Sequence, residues 1–456
     1  MSALAWLACV LGPPIAIGLA ARSRIAPERL RSVAVFAAAL SFGFALLALV
    51  PSVVGDARID GPRWLGDDPL FALRDLSRPL VALPAVLWLV TVAATPRARL
   101  DKPGIGRTAW ATALVTIAFL TTDPTLLVIL WAVSNEVFLG GLTSSEHRSV
   151  KRTSAIYLRA SVVLLAAGVA CRAFGSGAIA DWIGPLLILV AVLIRKGIFP
   201  FHAWIPDALD RGRIGPTVLF CAPQLGTYVA AVLLLPHAPP ALLRVGSILA
   251  LWTAVYAAAL ALVQHDARRA SGYLFVSQSA LVFAGLGCAS AEALAGGLTV
   301  WLSSALAFTG MGRTILSLEV RRGRLDLRTH HGGYESMPVL GVGFLVLSLA
   351  CVGFPGTLGF VGEEMLLDGL VRESPALGLG VAVASAFTGL AVLRMYFSLF
   401  CGARSTDTSL GTRPREAIMI GALSVALIVF GVFPGWIVDS RYRAAEALAR
   451  TTSASP

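Results

Sequence analysis

The sequence predicts an all-α membrane protein with about fourteen transmembrane helices, two inverted five-helix repeats, and breaks in the seventh and twelfth helices. Of its 456 residues, 57% are hydrophobic and only 14% are charged, whereas about a quarter of the residues in a soluble domain are charged. Apolar segments long enough to cross a bilayer recur along nearly the whole chain, and the loops between them are short. These observations leave no room for a large soluble domain.

A helix needs roughly 20 apolar residues to span a bilayer. Fourteen segments of this kind define the predicted helices: 3–20, 32–53, 79–95, 108–122, 124–142, 155–174, 181–199, 215–235, 241–263, 271–290, 294–318, 337–362, 376–402 and 416–437. The first segment has neither a basic leader nor a small-residue cleavage site, so we expect it to remain in the protein as a helix.

Basic residues are distributed unevenly among the loops. Lys and Arg are concentrated after odd-numbered helices, and the main exception, the loop at 54–78, balances its arginines with aspartates. The positive-inside rule then places the odd loops in the cytoplasm and both termini outside. The net charge of +11 follows from this topology and does not indicate nucleic-acid binding. We expect a multi-pass protein of a bacterial-type inner membrane.

The predicted helices group into four segments of the chain. Residues 1–107 form a three-helix segment, 108–235 and 241–402 form the two five-helix repeats, and 403–456 hold the last helix and a short tail. The evidence for inverted repeats is the spacing of the two helix breaks, which lie five helices apart, as in many transporters. Direct sequence similarity between the repeats is too weak to see.

Few charges lie inside the predicted helices, and each needs a partner, water or a function because a charge at bilayer depth is unfavourable. Glu136 lies on the fifth helix, Arg195 and Lys196 lie together on the seventh, and Glu363 lies on the twelfth. Arginines nearer the helix ends have an ordinary explanation, since their long side chains can reach the membrane surface; these are Arg159, Arg313 and Arg394.

Proline and glycine interrupt two of these helices close to the charges. Pro200 follows the cation pair on the seventh helix, and Pro355 precedes Glu363 on the twelfth. Proline removes a backbone donor and glycine favours unwinding, so carbonyl groups become free at membrane depth. Broken helices of this kind line ion paths in transporters.

Four motifs, in this order along the chain, resemble the antiporter-like membrane subunits of respiratory complex I, a family that includes Mrp cation/proton antiporters and membrane subunits of group 4 hydrogenases. They are KGIFPFHAWIPDAL (196–209), DARRASGYLFVSQSALVFAGLG (266–287), GFPGTLGFVGEEML (353–366) and LAVLRMYFSLFCG (390–402). The third motif is most similar to the M-type subunit of complex I. The resemblance covers roughly residues 110–435 and implies proton transfer along a polar axis at mid-membrane.

The resemblance also implies which positions carry the proton. The family acid on the twelfth helix matches Glu363, and the family lysine on the seventh helix aligns with Arg195. Arginine does not release its proton in proteins, whereas a desolvated lysine can. We therefore expect Lys196 to titrate and Arg195 to act as a fixed charge. The alternative is that Arg195 replaces the lysine and the relay is damaged.

Other positions depart from the family pattern. The fifth-helix acid aligns with Ala132, but Glu136 lies one turn later on the same helix face and is expected to replace it. Gln224 stands where the eighth-helix lysine is expected, and Gln278 and Ser304 stand where histidine is common on the tenth and eleventh helices. Neutral side chains can hold a water wire but cannot store a proton.

The predicted relay is therefore Lys196, Arg195, Glu136, Glu363 and Gln224. The predicted supporting residues are His202, Asp207, Gln278, Ser304, Pro200, Pro355 and Arg394.

These observations predict a proton-translocating subunit of a complex I-like NADH/quinone oxidoreductase or a related complex. Its six cysteines are isolated from one another, so we expect no redox centre, cofactor or metal in this chain. The expected partners are other membrane subunits, the lipid bilayer, and protons or sodium ions, but not nucleic acid. Three alternatives stay open: an Mrp-type sodium/proton antiporter module, a proton-driven subunit for inorganic-carbon uptake, and a degenerate scaffold that no longer conducts.

Overall fold

The computed structural model describes residues 2–55, 57–60, 69–97, 100–142, 148–288, 290–402 and 411–453. The helices, in chain order, are α1 (Ala3–Ala20), α2 (Pro27–Leu46), α3 (Pro51–Val54), α4 (Ser77–Ala94), α5 (Lys102–Ala118), α6 (Pro124–Leu139), α7 (Arg148–Phe174), α8 (Gly184–Lys196), α9 (Trp204–Arg211), α10 (Ile214–Cys221), α11 (Leu225–Val229), α12 (Pro240–Val263), α13 (Ala267–Leu286), α14 (Ala291–Arg322), α15 (Pro338–Ala350), α16 (Leu358–Glu373), α17 (Pro375–Phe400), α18 (Pro414–Val432) and α19 (Gly435–Ser453).

The predicted class, a helical polytopic membrane protein, is confirmed. Each of the fourteen predicted apolar segments overlaps a helix, and nine helical segments of the described chain are long and apolar enough to cross a membrane. Two features were not predicted. Strands β1 (Arg58–Asp60) and β2 (Pro69–Ala72) pair antiparallel between α3 and α4, and α19 occupies most of the expected C-terminal tail. The number of crossings and the inverted repeats remain predictions.

The chain divides into two compact units. The first comprises the described residues up to Val192 together with Gly215–Ala238, and the second comprises Leu193–Ile214 and the described residues from Pro239 onward. The predicted relay residues Glu136 and Gln224 therefore belong to the first unit.

Several helices begin at an aspartate whose side chain accepts a hydrogen bond from the first turn. Asp123 accepts a 2.6 Å bond from the Leu126 amide at the start of α6, and Pro124 occupies the first helical position. Asp266 accepts bonds from the Arg268 and Arg269 amides at the start of α13. Such residues satisfy amides that lack a partner within the helix, and proline suits a position that needs no donor.

Both predicted breaks are present in the second unit. Helix α8 ends where Gly197 adopts a φ of 67°, a conformation that favours glycine. The Trp204 indole donates a 2.8 Å hydrogen bond to the Ile194 carbonyl and so caps the end of α8. The chain between these residues contains a cis Phe199–Pro200 peptide bond. In the later break, α15 ends at Ala350 and α16 begins at Leu358.

A third interruption was not predicted. The eighth apolar segment is divided into α10 and α11, and Gln224 immediately before α11 has a φ of 50°. Among the residues with described backbone, Gln224 is the one non-glycine with a positive φ. L-residues rarely adopt this conformation, so the backbone here is strained.

Helix α16 packs against α14 almost backbone to backbone. A Cβ atom placed on Gly362 would lie 2.7 Å from the Val300 amide nitrogen, and one on Gly369 would lie 2.4 Å from the Ala293 amide nitrogen. The absence of side chains at these two positions allows the close approach. This packing places the N-terminal half of α16, which carries Glu363, against α14.

Candidate functional site

The candidate site in the second unit centres on Glu363, one turn into α16 and only 7% exposed. The Ser385 hydroxyl on α17 donates a 2.7 Å hydrogen bond to Glu363 Oε2. The Gln278 amide on α13 donates a 3.3 Å bond to Glu363 Oε1. A buried carboxylate needs such donors, because leaving it unpaired away from water is strongly unfavourable.

The same Gln278 amide reaches the adjacent helix break. Gln278 Nε2 also donates a 2.6 Å hydrogen bond to the carbonyl of Cys351, the residue that follows α15. The backbone of the break approaches the acid closely, since a Cβ atom on Gly353 would lie 2.6 Å from Glu363 Oε2. The Gln278 amide therefore connects the buried Glu363 acid to the Cys351 carbonyl at the end of α15.

Polar residues of α14 are buried in the same unit. Ser304 donates a 3.2 Å hydrogen bond to the Trp301 carbonyl within its own helix. The Ser303 hydroxyl has no hydrogen-bond partner among the described residues, and it lies near Gly359 of α16. Arg313 is also buried, so the prediction that this side chain reaches the membrane surface is wrong.

The cation pair lies at the end of α8, in the same unit as Glu363. Arg195 is 6% exposed and Lys196 is 3% exposed, so neither reaches the surface. Both occupy the last helical turn, where the negative end of the helix dipole favours positive charge. Pro200 lies in the exposed part of the break that follows.

His202 lies in the same break among aromatic rings. Its ring stacks on Phe199 at a centroid distance of 5.9 Å and meets the edge of Tyr256 at 5.3 Å. Its Nδ1 is buried and bonds to none of the described residues. The Phe199 amide donates a 3.1 Å hydrogen bond to the Thr253 hydroxyl, which fixes the break against α12.

Asp207 belongs to a larger set of ion pairs, the α9 ion-pair cluster, which consists of Asp207, Asp210, Asp266, Glu319, Arg268, Arg269 and Arg324. Asp207 lies 3.4 Å from Arg269, and Arg268 pairs with the buried Glu319 of α14. Burial raises the pKa of the Asp266 carboxyl, and Arg324 opposes that shift. The cluster joins α9 to α13 and α14, and only Asp207 was predicted.

The two remaining predicted supporting residues, Arg394 and Pro355, lie beside a helix end and in a helix break. The Arg394 guanidinium on α17 donates hydrogen bonds to the carbonyls of Leu262 and, at 3.0 Å, Gln264, and so caps the end of α12. Pro355 is exposed in the break between α15 and α16.

In the first unit, Glu136 faces outward. It forms a bidentate ion pair with Arg159 of α7, with an Nε–Oε1 distance of 2.8 Å, and the two side chains are 54% and 64% exposed. Ala132, one turn earlier, is half-buried. The buried polar residue of this helix is Asn135, whose amide donates to the Leu158 carbonyl at 3.0 Å.

Gln224 is buried in the first unit. Its Oε1 accepts a 3.1 Å hydrogen bond from the Thr227 hydroxyl. The residue therefore contributes a neutral polar group at an interrupted helix, where a lysine was expected from the resemblance.

Of the predicted site residues, Glu363 and Gln278 are in direct contact. Ser385 completes their arrangement and was not predicted, because an isolated serine on an apolar helix carries no distinguishing signal. Arg313 was not among the predicted site residues either, because it lies near the end of the predicted helix at 294–318, where an arginine can reach the membrane surface.

Comparisons with known proteins extend this description. Residues 153–388 match the family model described as NADH:quinone oxidoreductase/Mrp antiporter, TM. Subunit M of the NADH-quinone oxidoreductase of Pseudomonas aeruginosa is 28% identical over 268 residues, which are 57% of this chain and 52% of that subunit. The chain spans about half the length of the curated relatives it matches.

Two solved structures share the fold. A chain of respiratory complex I from Thermus thermophilus with bound NADH superposes with a TM-score of 0.87 and 23% identity, over 98% of this chain and 99% of that one. A chain of the Mrp complex from Dietzia sp. DQ12-45-1b gives a TM-score of 0.84 and 19% identity, over 98% of both chains. The family match covers more than half of the residues, includes the first three motifs and confirms the resemblance. The chain belongs to the NADH:quinone oxidoreductase/Mrp antiporter transmembrane family.

Proposed function

We propose that this chain is a proton-translocating, antiporter-like subunit of a multisubunit membrane complex, and that Glu363 accepts and releases the transferred proton. The observation that carries the proposal is the buried carboxylate beside a broken helix, held by Gln278 and Ser385. An ionisable group inside a membrane protein is unfavourable unless it serves transport or a similar role.

The surroundings of Glu363 suit both of its protonation states. The ionised carboxylate accepts hydrogen bonds from Ser385 and Gln278. When the carboxyl is protonated, it becomes a donor at one oxygen, and the Ser385 hydroxyl can rotate to accept from it. Gln278 keeps its bond to the Cys351 carbonyl in either state. The proton can therefore come and go without a large change of the backbone.

Lys196 is the proposed proton carrier at the other break, with Arg195 as a fixed charge. Both are buried at the end of α8. Desolvation weakens the hold of a lysine on its proton, whereas arginine keeps its proton. A relay of this kind needs one group that takes up and releases the proton. It also needs a fixed positive charge that stabilises a deprotonated acid.

The remaining parts of the proposal concern the complex. We propose NADH/quinone chemistry, or a related driving reaction, in partner subunits, because the isolated cysteines of this chain offer no redox motif. We further propose a bacterial-type inner membrane with both termini outside, about fourteen crossings, and inverted repeats at 108–235 and 241–402.

Two alternatives have observations in their favour. An Mrp-type sodium/proton antiporter module is supported by the likeness to the Dietzia Mrp chain over 98% of both chains. A scaffold that no longer conducts is supported by the outward position of Glu136 and by the neutral Gln224.

Purification of the tagged full chain from its native membranes tests the proposal. We expect redox subunits to co-purify, and the reconstituted complex to move protons when its electron donor and quinone are supplied. Flux that depends on sodium and needs no electron donor supports the Mrp-type alternative. Absence of flux in a fully assembled complex supports the scaffold.

A further inference from the structure

Oxygen atoms from several helices of the second unit lie around Glu363. The carboxylate is one turn into α16, and the carbonyl of Cys351 follows the end of α15. A Cβ atom on Gly359 would overlap the Ala350 carbonyl oxygen and would lie 3.1 Å from Ser303 Oγ. Carbonyls at the C-terminal end of a helix carry partial negative charge. The surroundings of Glu363 therefore contain the oxygen ligands that hard metal cations prefer.

One nitrogen atom contacts two of these oxygens. Gln278 Nε2 donates to the Cys351 carbonyl at 2.6 Å and to Glu363 Oε1 at 3.3 Å. An amide nitrogen carries two hydrogens and acts as a donor, not as a ligand for a cation. The hydrogens of Gln278 therefore occupy the position from which a metal ion would have to bind both oxygens.

The contact with the helix break fixes the orientation of this amide. Gln278 is only 1% exposed, and its shorter hydrogen bond is the one to the Cys351 carbonyl. A reversed amide would place the Gln278 oxygen against the Cys351 carbonyl oxygen and would remove the donor of that carbonyl, which is unfavourable for a buried acceptor. The amide therefore presents its hydrogens, and not its oxygen, to Glu363.

The second oxygen of Glu363 is enclosed by other groups. Oε2 accepts a 2.7 Å hydrogen bond from the Ser385 hydroxyl, and a Cβ atom on Gly353 would lie 2.6 Å from Oε2. The backbone of the break therefore leaves little room beside Oε2 for a metal ion and its other ligands. A proton needs no such room, because it binds a single oxygen and the Ser385 hydroxyl can rotate to accept from it.

We propose that Gln278 is a specificity-determining residue that excludes sodium ions from Glu363 and leaves the proton as the transferred ion. The amide hydrogens repel a metal cation between the Cys351 carbonyl and the Glu363 carboxylate, whereas the same hydrogens stabilise the ionised acid. This inference rests on the proposed function, in which Glu363 carries the proton, and it names the ion that the site selects.

Ion competition in the reconstituted complex tests this inference. Proton flux and the melting temperature are measured in sodium chloride and in choline chloride at equal ionic strength. We expect the wild-type protein to give the same values in both salts. Gln278→Ser removes the amide and adds a hydroxyl oxygen, so we expect sodium to bind at Glu363 in this variant. Sodium should then raise the melting temperature and lower the flux about twofold when half of the sites are occupied.

Three further variants make the test specific. Gln278→Ala removes the amide without adding a ligand and should show the same sodium effects, but more weakly. Gln264→Ser changes a glutamine whose amide bonds to the Leu260 carbonyl, and it should show no sodium effect. Glu363→Gln/Gln278→Ser removes the acid and should abolish the rise of the melting temperature. That rise remains measurable in a variant whose flux is low.

The outcomes separate this inference from the proposed function. A sodium effect in the wild-type protein that Glu363→Gln removes would overturn the inference, as would equal melting temperatures of both Gln278 variants in the two salts. In either case the proposed function stands if wild-type proton flux depends on Glu363. If Glu363→Gln conducts protons like the wild type, the proposed function fails and the inference fails with it.

Discussion

The side-chain amide of Gln278 donates hydrogen bonds to the Cys351 carbonyl at 2.6 Å and to the Glu363 carboxylate at 3.3 Å. One side chain on α13 thus connects the end of α15 to the acid on α16. An amide nitrogen carries two hydrogens, so Gln278 can donate to the helix break and to the acid at the same time. This link is the most specific feature of the candidate site.

The first prediction concerns Glu363. Glu363→Gln keeps the shape of the side chain but removes the titrating group, so we expect proton flux in reconstituted vesicles to fall by at least about tenfold. Glu364→Gln is the matched control, because Glu364 is adjacent and exposed. Flux is followed with a pH-sensitive dye. Equal flux in both variants would mean that the proton takes another route.

The second prediction concerns Gln278. Gln278→Leu leaves the buried Cys351 carbonyl without this donor, a loss of about 1–3 kcal/mol of stability, and it removes one donor to Glu363. We expect a lower melting temperature and slower flux. Gln264→Leu is the control, since the Gln264 amide donates at 2.9 Å to the carbonyl of Leu260 in α12, the helix that Gln264 follows. If Gln264→Leu lowers the melting temperature and the flux equally, the hydrogen bonds of Gln278 have no special role.

The third prediction separates Lys196 from Arg195. We expect Lys196→Ala to abolish flux, because no titrating group remains at the end of α8. We expect Arg195→Lys to conduct, because the positive charge is retained. Lys151→Ala, at the start of α7, controls for the loss of a lysine elsewhere. A silent Lys196→Ala together with an inactive Arg195→Ala would assign the relay to the arginine position instead.

The fourth prediction concerns the packing of α16 on α14. In Gly362→Ala, the new Cβ atom would lie 2.7 Å from the Val300 amide nitrogen, which is backbone and cannot move away easily. We expect a destabilisation of about 1–3 kcal/mol or more, seen as a lower melting temperature in detergent. Gly421→Ala on α18 meets no atom within 4 Å. Gly421→Ala should gain up to about 1 kcal/mol from the higher helix propensity of alanine. A lower melting temperature in both variants would therefore contradict the packing argument.

The fifth prediction concerns the α9 ion-pair cluster. The Arg268 and Glu319 side chains are only 10% and 3% exposed, so Arg268→Met leaves a buried carboxylate without its partner. We expect a loss of about 3 kcal/mol, and partial recovery in Arg268→Met/Glu319→Leu. Arg328→Met, which breaks the exposed pair with Asp326, should leave the melting temperature unchanged. An equal change of melting temperature in Arg268→Met and Arg328→Met would show that the buried ion pair stabilises the protein no more than the exposed pair does.

The positions of the helices could be predicted because hydropathy reports whether a segment lies in the membrane. The segment predicted at 241–263 is α12 at Pro240–Val263, and both predicted breaks follow from proline and glycine. The break at Gln224 was missed, although the sequence carries the same kind of signal there, since Pro223 immediately precedes Gln224 inside the eighth apolar segment.

The direction of Glu136 could not be predicted for a different reason. The helical period places Glu136 one turn from Ala132, but it does not tell which face of the helix meets lipid. In a membrane protein the interior and the lipid-facing surface are both apolar, so the pattern that orients a helix in a soluble protein is nearly absent. Only packing against neighbouring helices shows that Glu136 faces outward and Asn135 inward.

The sequence by itself determined the membrane class, the order of the helices and the two breaks, because these depend on composition and on local backbone chemistry, and its motifs carried the resemblance to the family. The tertiary structure decided which polar groups meet. Gln278, Glu363 and Ser385 come from three different helices, and no local pattern encodes their contact. Their meeting depends on how the helices pack, and the close approach of α16 to α14 through Gly362 is part of that packing.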